Sequence, residues 1–68
     1  MPERLVNDIK ARRTELGLTQ AALAERVGVT RKTVNTVENR VFTPSATLAI
    51  KLARALGVTV ETLFRIEG

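Results

Sequence analysis

Gln-Ala-Ala-Leu-Ala-Glu-Arg-Val-Gly-Val-Thr-Arg-Lys-Thr-Val-Asn-Thr-Val-Glu-Asn, residues 20–39, reads as two short helices joined by a tight turn at Gly28. The second begins right after Thr30, whose hydroxyl can accept from the free amides of a helix start. On this second helix Val34 and Val37 fall on one side, and Arg31, Lys32 and Thr36 on the other. One side can bury. The other can meet an acidic polymer that carries hydrogen-bonding edges.

Working outward, the same punctuation marks further helices. Asn7 or Asp8 can cap a first helix running to about Leu16, with Gly17 as its stop. Thr19 caps the second, through about Val27; Thr30 caps the third, Arg31 to about Glu38; Ser45, after Pro44, caps a fourth that ends at Gly57; and Thr59 caps a short fifth, Val60 to Leu63. In the fourth, Thr47, Lys51 and Arg54 form one stripe and every other residue from Ala46 to Leu56 is apolar. A helix with so narrow a wet face packs on most of its sides, so it is the predicted support for a core of Ile9, Leu16, Leu18, Leu23, Val27, Val34 and Val37. At the two ends, Arg4-Leu5-Val6 and Phe64-Arg65-Ile66 alternate as extended chain does.

Composition narrows the function. A chain of 68 residues is one domain, 1–68, and buries only about 60% of its unfolded surface. With no Cys and no His, it has no disulfide framework, no thiolate and neither the commonest general base nor the commonest metal ligand. Glu25, Glu38 and Glu61 lie on different helices, and the glycines form no phosphate-cradling loop. No catalytic residue, metal site or cofactor is assigned, and the chain is not read as an enzyme. No apolar run reaches the roughly 18 residues of a membrane span, and Met-Pro-Glu-Arg lacks the order of a signal peptide. A cytoplasmic protein without membrane contact is expected. Eleven basic residues against seven acidic suit a polyanion. Arg26, Arg31, Lys32 and Arg40 cluster in or beside the central stretch, where Glu25 and Glu38 are the acids. The two aromatics, Phe42 and Phe64, are too few and too far apart for a base-stacking platform, which favours duplex over single strands.

Ala24, Gly28, Val34 and Val37, at their places in two capped helices, give the layout of a helix-turn-helix. The stretch resembles the phage-repressor family of Cro/CI type (the XRE family). Arg13-x-x-Leu16-Gly17-Leu18-Thr19-Gln20 matches that family's run into the motif, and Glu38-Asn39, Thr43-Pro44-Ser45 and Ala55-Leu56-Gly57-Val58 match its continuation. The likeness extends over roughly residues 6–66. It implies an all-α, compact five-helix bundle of lambda-repressor type, in which a minor two-stranded antiparallel ribbon joins the termini. It also implies a sequence-specific regulator of transcription, a repressor that occupies a palindromic operator as a homodimer.

Candidate contacts follow. Arg31 and Lys32 open the recognition helix, where side chains meet base edges; Arg can give two donors to guanine and Lys a point charge. Thr36, one turn on, and Asn35 beside it are further candidates for bases. Thr19, Gln20 and Thr30, at the two helix starts, are candidates for phosphate, since helix N-termini attract anions. The resemblance adds Asn39, Arg40 and Thr43 in the following loop. It also implies a structural salt bridge between Arg13 and Glu38. Position 40 departs from the family, which usually has Gly or Asn there. Either Asn39 takes a left-handed turn, or Arg40 does at about 1 kcal/mol. A dimer surface is expected at Val60, Leu63, Phe64 and Ile66. Two rivals share the fold: an antitoxin that covers a protein partner and represses its own operon, and an interaction module that does not bind DNA.

Overall fold

Four of the helices start on the same chemistry. In the computed structural model, which describes residues 3–68, the hydroxyls of Thr19, Thr30, Ser45 and Thr59 accept from the backbone N–H of Ala22, Thr33, Leu48 and Thr62 respectively. Each cap satisfies one of the amides that a helix start leaves without an intrahelical partner. The elements so defined run β1 (Arg4–Asn7), α1 (Ile9–Glu15), α2 (Gln20–Val27), α3 (Arg31–Glu38), α4 (Ala46–Leu56), α5 (Val60–Leu63) and β2 (Phe64–Glu67). The fold is a five-helix bundle with a two-stranded antiparallel ribbon.

α1 starts differently. Asp8 holds the cap position without a side-chain bond, and Asn7 Oδ1 accepts from Ile9 N at 3.1 Å instead. Asp8 is used elsewhere: its carboxylate accepts from Arg65 at 2.8 Å.

The core gathers around α4, which contributes Leu48, Leu52, Ala53 and Leu56 and packs against α1, α2 and α5. Ile9, Leu23, Val27, Val34, Val37, Leu63 and Phe64 close on it. Leu18 packs at its margin. Leu16, expected inside, is 54% exposed. It is the C-cap of α1, and the chain reverses at Gly17 immediately after it, so that Leu18 takes the inward place.

The ribbon pairs Arg4 with Glu67, Leu5 with Ile66, Val6 with Arg65 and Asn7 with Phe64. A hairpin-sized sheet is marginal in water unless it rests on something. Here Leu5 packs on the core, and Asn7 Nδ2 donates to Val37 O at 3.0 Å. That bond fastens the ribbon to the end of α3.

Candidate nucleic-acid interface

The orientation of α3 follows from two valines. Val34 and Val37 are each 1% exposed. Each large buried side chain is worth about 1.5–3 kcal/mol, so rotating α3 to hide its cations would expose more than it gains. The turn before α3 is equally fixed. Gly28 has φ +78°, a conformation that favours glycine, and the amides of Gly28 and Val29 both donate to Ala24 O, at 2.9 and 3.0 Å. Arg31 and Lys32 are therefore held outward and exposed. Neither takes part in an ion pair among the described residues.

Their position breaks a local rule. The N-terminus of a helix is the positive end of its dipole, where cations cost about 0.3–1 kcal/mol each and carboxylates are favoured. α3 begins with Arg31 and Lys32, and none of α2, α3 and α4 has an acidic residue in its first turn. α5 does, with Glu61. Three helix starts without carboxylates, one of them doubly cationic, make a surface that an anion would stabilise. Sequence reading missed this pattern, although the absence of Asp and Glu after each capping hydroxyl could have revealed it.

Behind this surface lies a relay of polar side chains. Arg13 Nε donates to Glu38 Oε2 at 2.8 Å and Arg13 Nη2 to Glu38 Oε1 at 3.2 Å. Arg13 Nη1 donates to Leu18 O at 2.9 Å. The Glu38 side chain is only 4% exposed, and its Oε1 also accepts from Gln20 Nε2 at 3.1 Å. Gln20 Oε1 in turn accepts from Asn35 Nδ2 at 3.5 Å, a long contact. The relay joins α1, α2 and α3, so the angle between the two helices of the motif is set by directional bonds as well as by packing.

This geometry redistributes the candidate residues. Arg31 and Lys32 stand free on the outer face, with Thr30 exposed at its start. Thr36 is half-buried, and its hydroxyl donates to Thr33 O at 2.9 Å. Gln20, expected to reach outward to a phosphate, has its amide turned inward to Glu38 and Asn35. Thr19 is exposed while it caps α2. Asn39 and Thr43 are exposed in the loop. The left-handed turn falls on Arg40, at φ +62°, while Asn39 keeps φ −85°. That turn folds the chain back so that Val41 N and Phe42 N both donate to Thr36 O, at 2.9 and 3.2 Å. Val41 and Phe42, both exposed, then line an open hollow with Lys32, Thr33, Thr36 and Leu48.

The dimer surface needs correction. Leu63 is wholly buried and Phe64 nearly so, both within this chain's own core. The reason is topological: α5 passes directly into β2, and its last residues fill the space between α4 and the ribbon. Of that expected surface, Val60 remains half-buried and Ile66 exposed.

Among the described residues, no group of three or more acidic side chains is placed to hold a metal, and no helix is long and apolar enough to cross a membrane.

Comparison with known proteins agrees with the motif. The Helix-turn-helix family profile matches residues 9–63. An uncharacterized HTH-type transcriptional regulator of Methanothermobacter thermautotrophicus is 57% identical over 60 residues, 87% of each chain. Among solved structures, the P22 c2 repressor in complex with a synthetic operator superposes with a TM-score of 0.76 at 32% identity, covering 78% of this chain and 80% of that one. The biofilm regulator SinR in complex with DNA gives 0.74 at 33% identity, over 79% and 87%. On the strength of the profile match and of that archaeal relative, this chain belongs to the helix-turn-helix family of Cro/CI type, as a transcriptional regulator with a helix-turn-helix DNA-binding domain.

Proposed function

We propose that residues 1–68 act as one sequence-specific, double-stranded DNA-binding unit, a cytoplasmic repressor that occupies a palindromic operator as a homodimer. The observation that carries this reading is the pair Arg31 and Lys32, exposed at the start of a helix that Val34 and Val37 lock in place. Nothing in the folded chain offsets their mutual repulsion or their quarrel with the helix dipole; a phosphate or a guanine edge would do both. The two neighbours solved with operator or DNA support the same reading.

In this mechanism phosphates position the protein and bases select the site. Thr19, Thr30 and the first amides of α2 meet one stretch of backbone, and Asn39, Arg40 and Thr43 another. Gln20 acts through its backbone, and its side chain braces Glu38. Arg31 and Lys32 read base edges. Thr36 offers its methyl group, and Asn35 the face of its amide. Two copies place their recognition helices about 34 Å apart on successive turns of one groove.

The test is duplex binding at several salt concentrations, for the wild type and Arg31→Ala. A protein that neutralises phosphates shows log affinity falling linearly with log salt. Arg31→Ala then costs about 1–3 kcal/mol, concentrated on particular sequences. A loss spread evenly over sequences reassigns Arg31 to the phosphates. Affinity without salt dependence overturns the proposal.

A further inference from the structure

β2 is the outer strand of the ribbon. Residues 65–67 are exposed, and Ile66 is 68% exposed. β1, by contrast, is tied down by Leu5 and Asn7. The register shows which backbone groups of β2 are free to pair. Asp8 N donates to Leu63 O at 3.0 Å, and antiparallel strands alternate hydrogen-bonded with non-hydrogen-bonded pairs. Val6–Arg65 and Arg4–Glu67 therefore exchange bonds within the ribbon. Leu5–Ile66 is a non-bonded pair, so Ile66 turns both its N–H and its C=O away from β1. An exposed edge that presents a free donor, a free acceptor and a bare isoleucine is a template for another strand.

The flanking charges say which strand. Arg65 and Glu67 sit on either side of Ile66, so a copy of this segment laid antiparallel about Ile66 puts each Arg65 opposite a Glu67. Ile66 then lies opposite its own counterpart and exchanges both backbone bonds with it. Slipping two residues in either direction keeps the backbone polarity but sets Arg65 against Arg65, or Glu67 against Glu67. Directly opposed like charges are destabilising, so charge selects one register.

We propose that two copies of this chain join edge to edge through β2, forming a four-stranded antiparallel sheet with the two-fold axis at Ile66. The interface is isologous, as closed dimers require. It rests on the homodimer reading above and gives that dimer a specific surface in place of Leu63 and Phe64.

The experiment is analytical ultracentrifugation of the full chain. The wild type sediments as a dimer. Arg65→Glu opposes two carboxylates at each flank and Glu67→Arg opposes two guanidiniums, so each variant alone associates at least roughly tenfold more weakly, about 1.4 kcal/mol. An equimolar mixture of the two restores the dimer, because every flanking pair is again opposite in sign. Ile66→Cys gives an independent reading: the chain has no other cysteine, and a bonded antiparallel pair has its Cα atoms about 5.5 Å apart, within disulfide reach. Oxidation then yields a covalent dimer. A monomeric wild type, charge variants that dimerise like wild type, or a mixture that stays dissociated each overturns the interface. Duplex binding is measured on the same samples. If DNA binding persists while this interface fails, the regulator reading stands; if the wild type binds no duplex, that reading fails whatever the ribbon does.

Discussion

Arg13 and Glu38, twenty-five residues apart in the chain, meet fork to fork, with Nε 2.8 Å from Oε2 and Nη2 3.2 Å from Oε1. Their side chains are 12% and 4% exposed, so the pair is shielded from solvent screening and each charge depends on the other. Burial of an ion pair is weak evidence of net stabilisation, but removal of one partner leaves an uncompensated charge at about 3–5 kcal/mol. Arg13→Met and Glu38→Leu should each cost that much in chemical denaturation. The double variant should cost much less than the sum of the two. A double-mutant cycle with coupling near zero would refute this account of the pair.

Gln20 offers a sharper test, because two roles compete for its amide. Its Nε2 lies 3.1 Å from Glu38 Oε1, and a hydrogen bond to a charged group contributes about 1.5–3 kcal/mol. Gln20→Ala should lower stability by that amount. Gln20→Glu should lower it further, since a second carboxylate then faces Glu38. Stability unchanged in Gln20→Ala, with duplex affinity reduced, would instead give the side chain to a phosphate. Urea denaturation and DNA titration of the same preparations decide between the two.

The helices were legible in the sequence because two independent signals coincided at each boundary. Thr19, Thr30, Ser45 and Thr59 precede runs with helical apolar spacing, and each is a working cap. What escaped the sequence was anything settled over a few residues or a few ångströms. Leu63 and Phe64 lie in a segment too short for periodicity to tell an inward face from an outward one. Leu16 sits at a helix end, where a single left-handed glycine decides which of two leucines goes in. The resemblance implied that Arg13 and Glu38 pair, yet nothing in residue types revealed that Gln20 joins them, or that Asn7 reaches across thirty positions to Val37 O. The conformation at Arg40 was undecidable because Asn39 is the better left-handed residue on its own; the two amides of Val41 and Phe42 on Thr36 O fix the turn one residue later.

Arg40, at φ +62°, carries a strain that glycine would not. Arg40→Gly should stabilise the fold by about 1 kcal/mol, the left-handed penalty net of the added chain freedom. In a domain of this size that is roughly 4–8 °C in Tm. Loss of its positive charge should at the same time weaken duplex binding uniformly across sequences and reduce the salt slope by about 1. Calorimetry and salt-dependent titration separate the two effects. A fall in Tm would show that the side chain stabilises the loop by contacts of its own.

Asp8 gives the fold a dependence on acid. Arg65 donates to both of its oxygens, at 2.8 and 3.4 Å. That hydrogen bonding, followed by the positive charges of Arg65 and Arg12, holds the carboxyl below its ordinary value of 3.8 despite a small opposing effect of desolvation. The folded state therefore binds the proton less readily than the unfolded chain does. The tie between α1 and β2 contributes fully above pH 3.8 and is lost as the pH falls through the lower, folded value. Because both side chains are substantially exposed, the contribution is small and shrinks as salt is added. Asp8→Asn should thus unfold at slightly lower denaturant than wild type at neutral pH and low salt, and the two curves should converge in acid. The direct measurement is the carboxyl titration of Asp8 by NMR. A midpoint at or above 3.8 in the folded protein would mean that Arg65 does not hold it in solution, and the ribbon would then be fastened to the helices by Leu5 and Asn7.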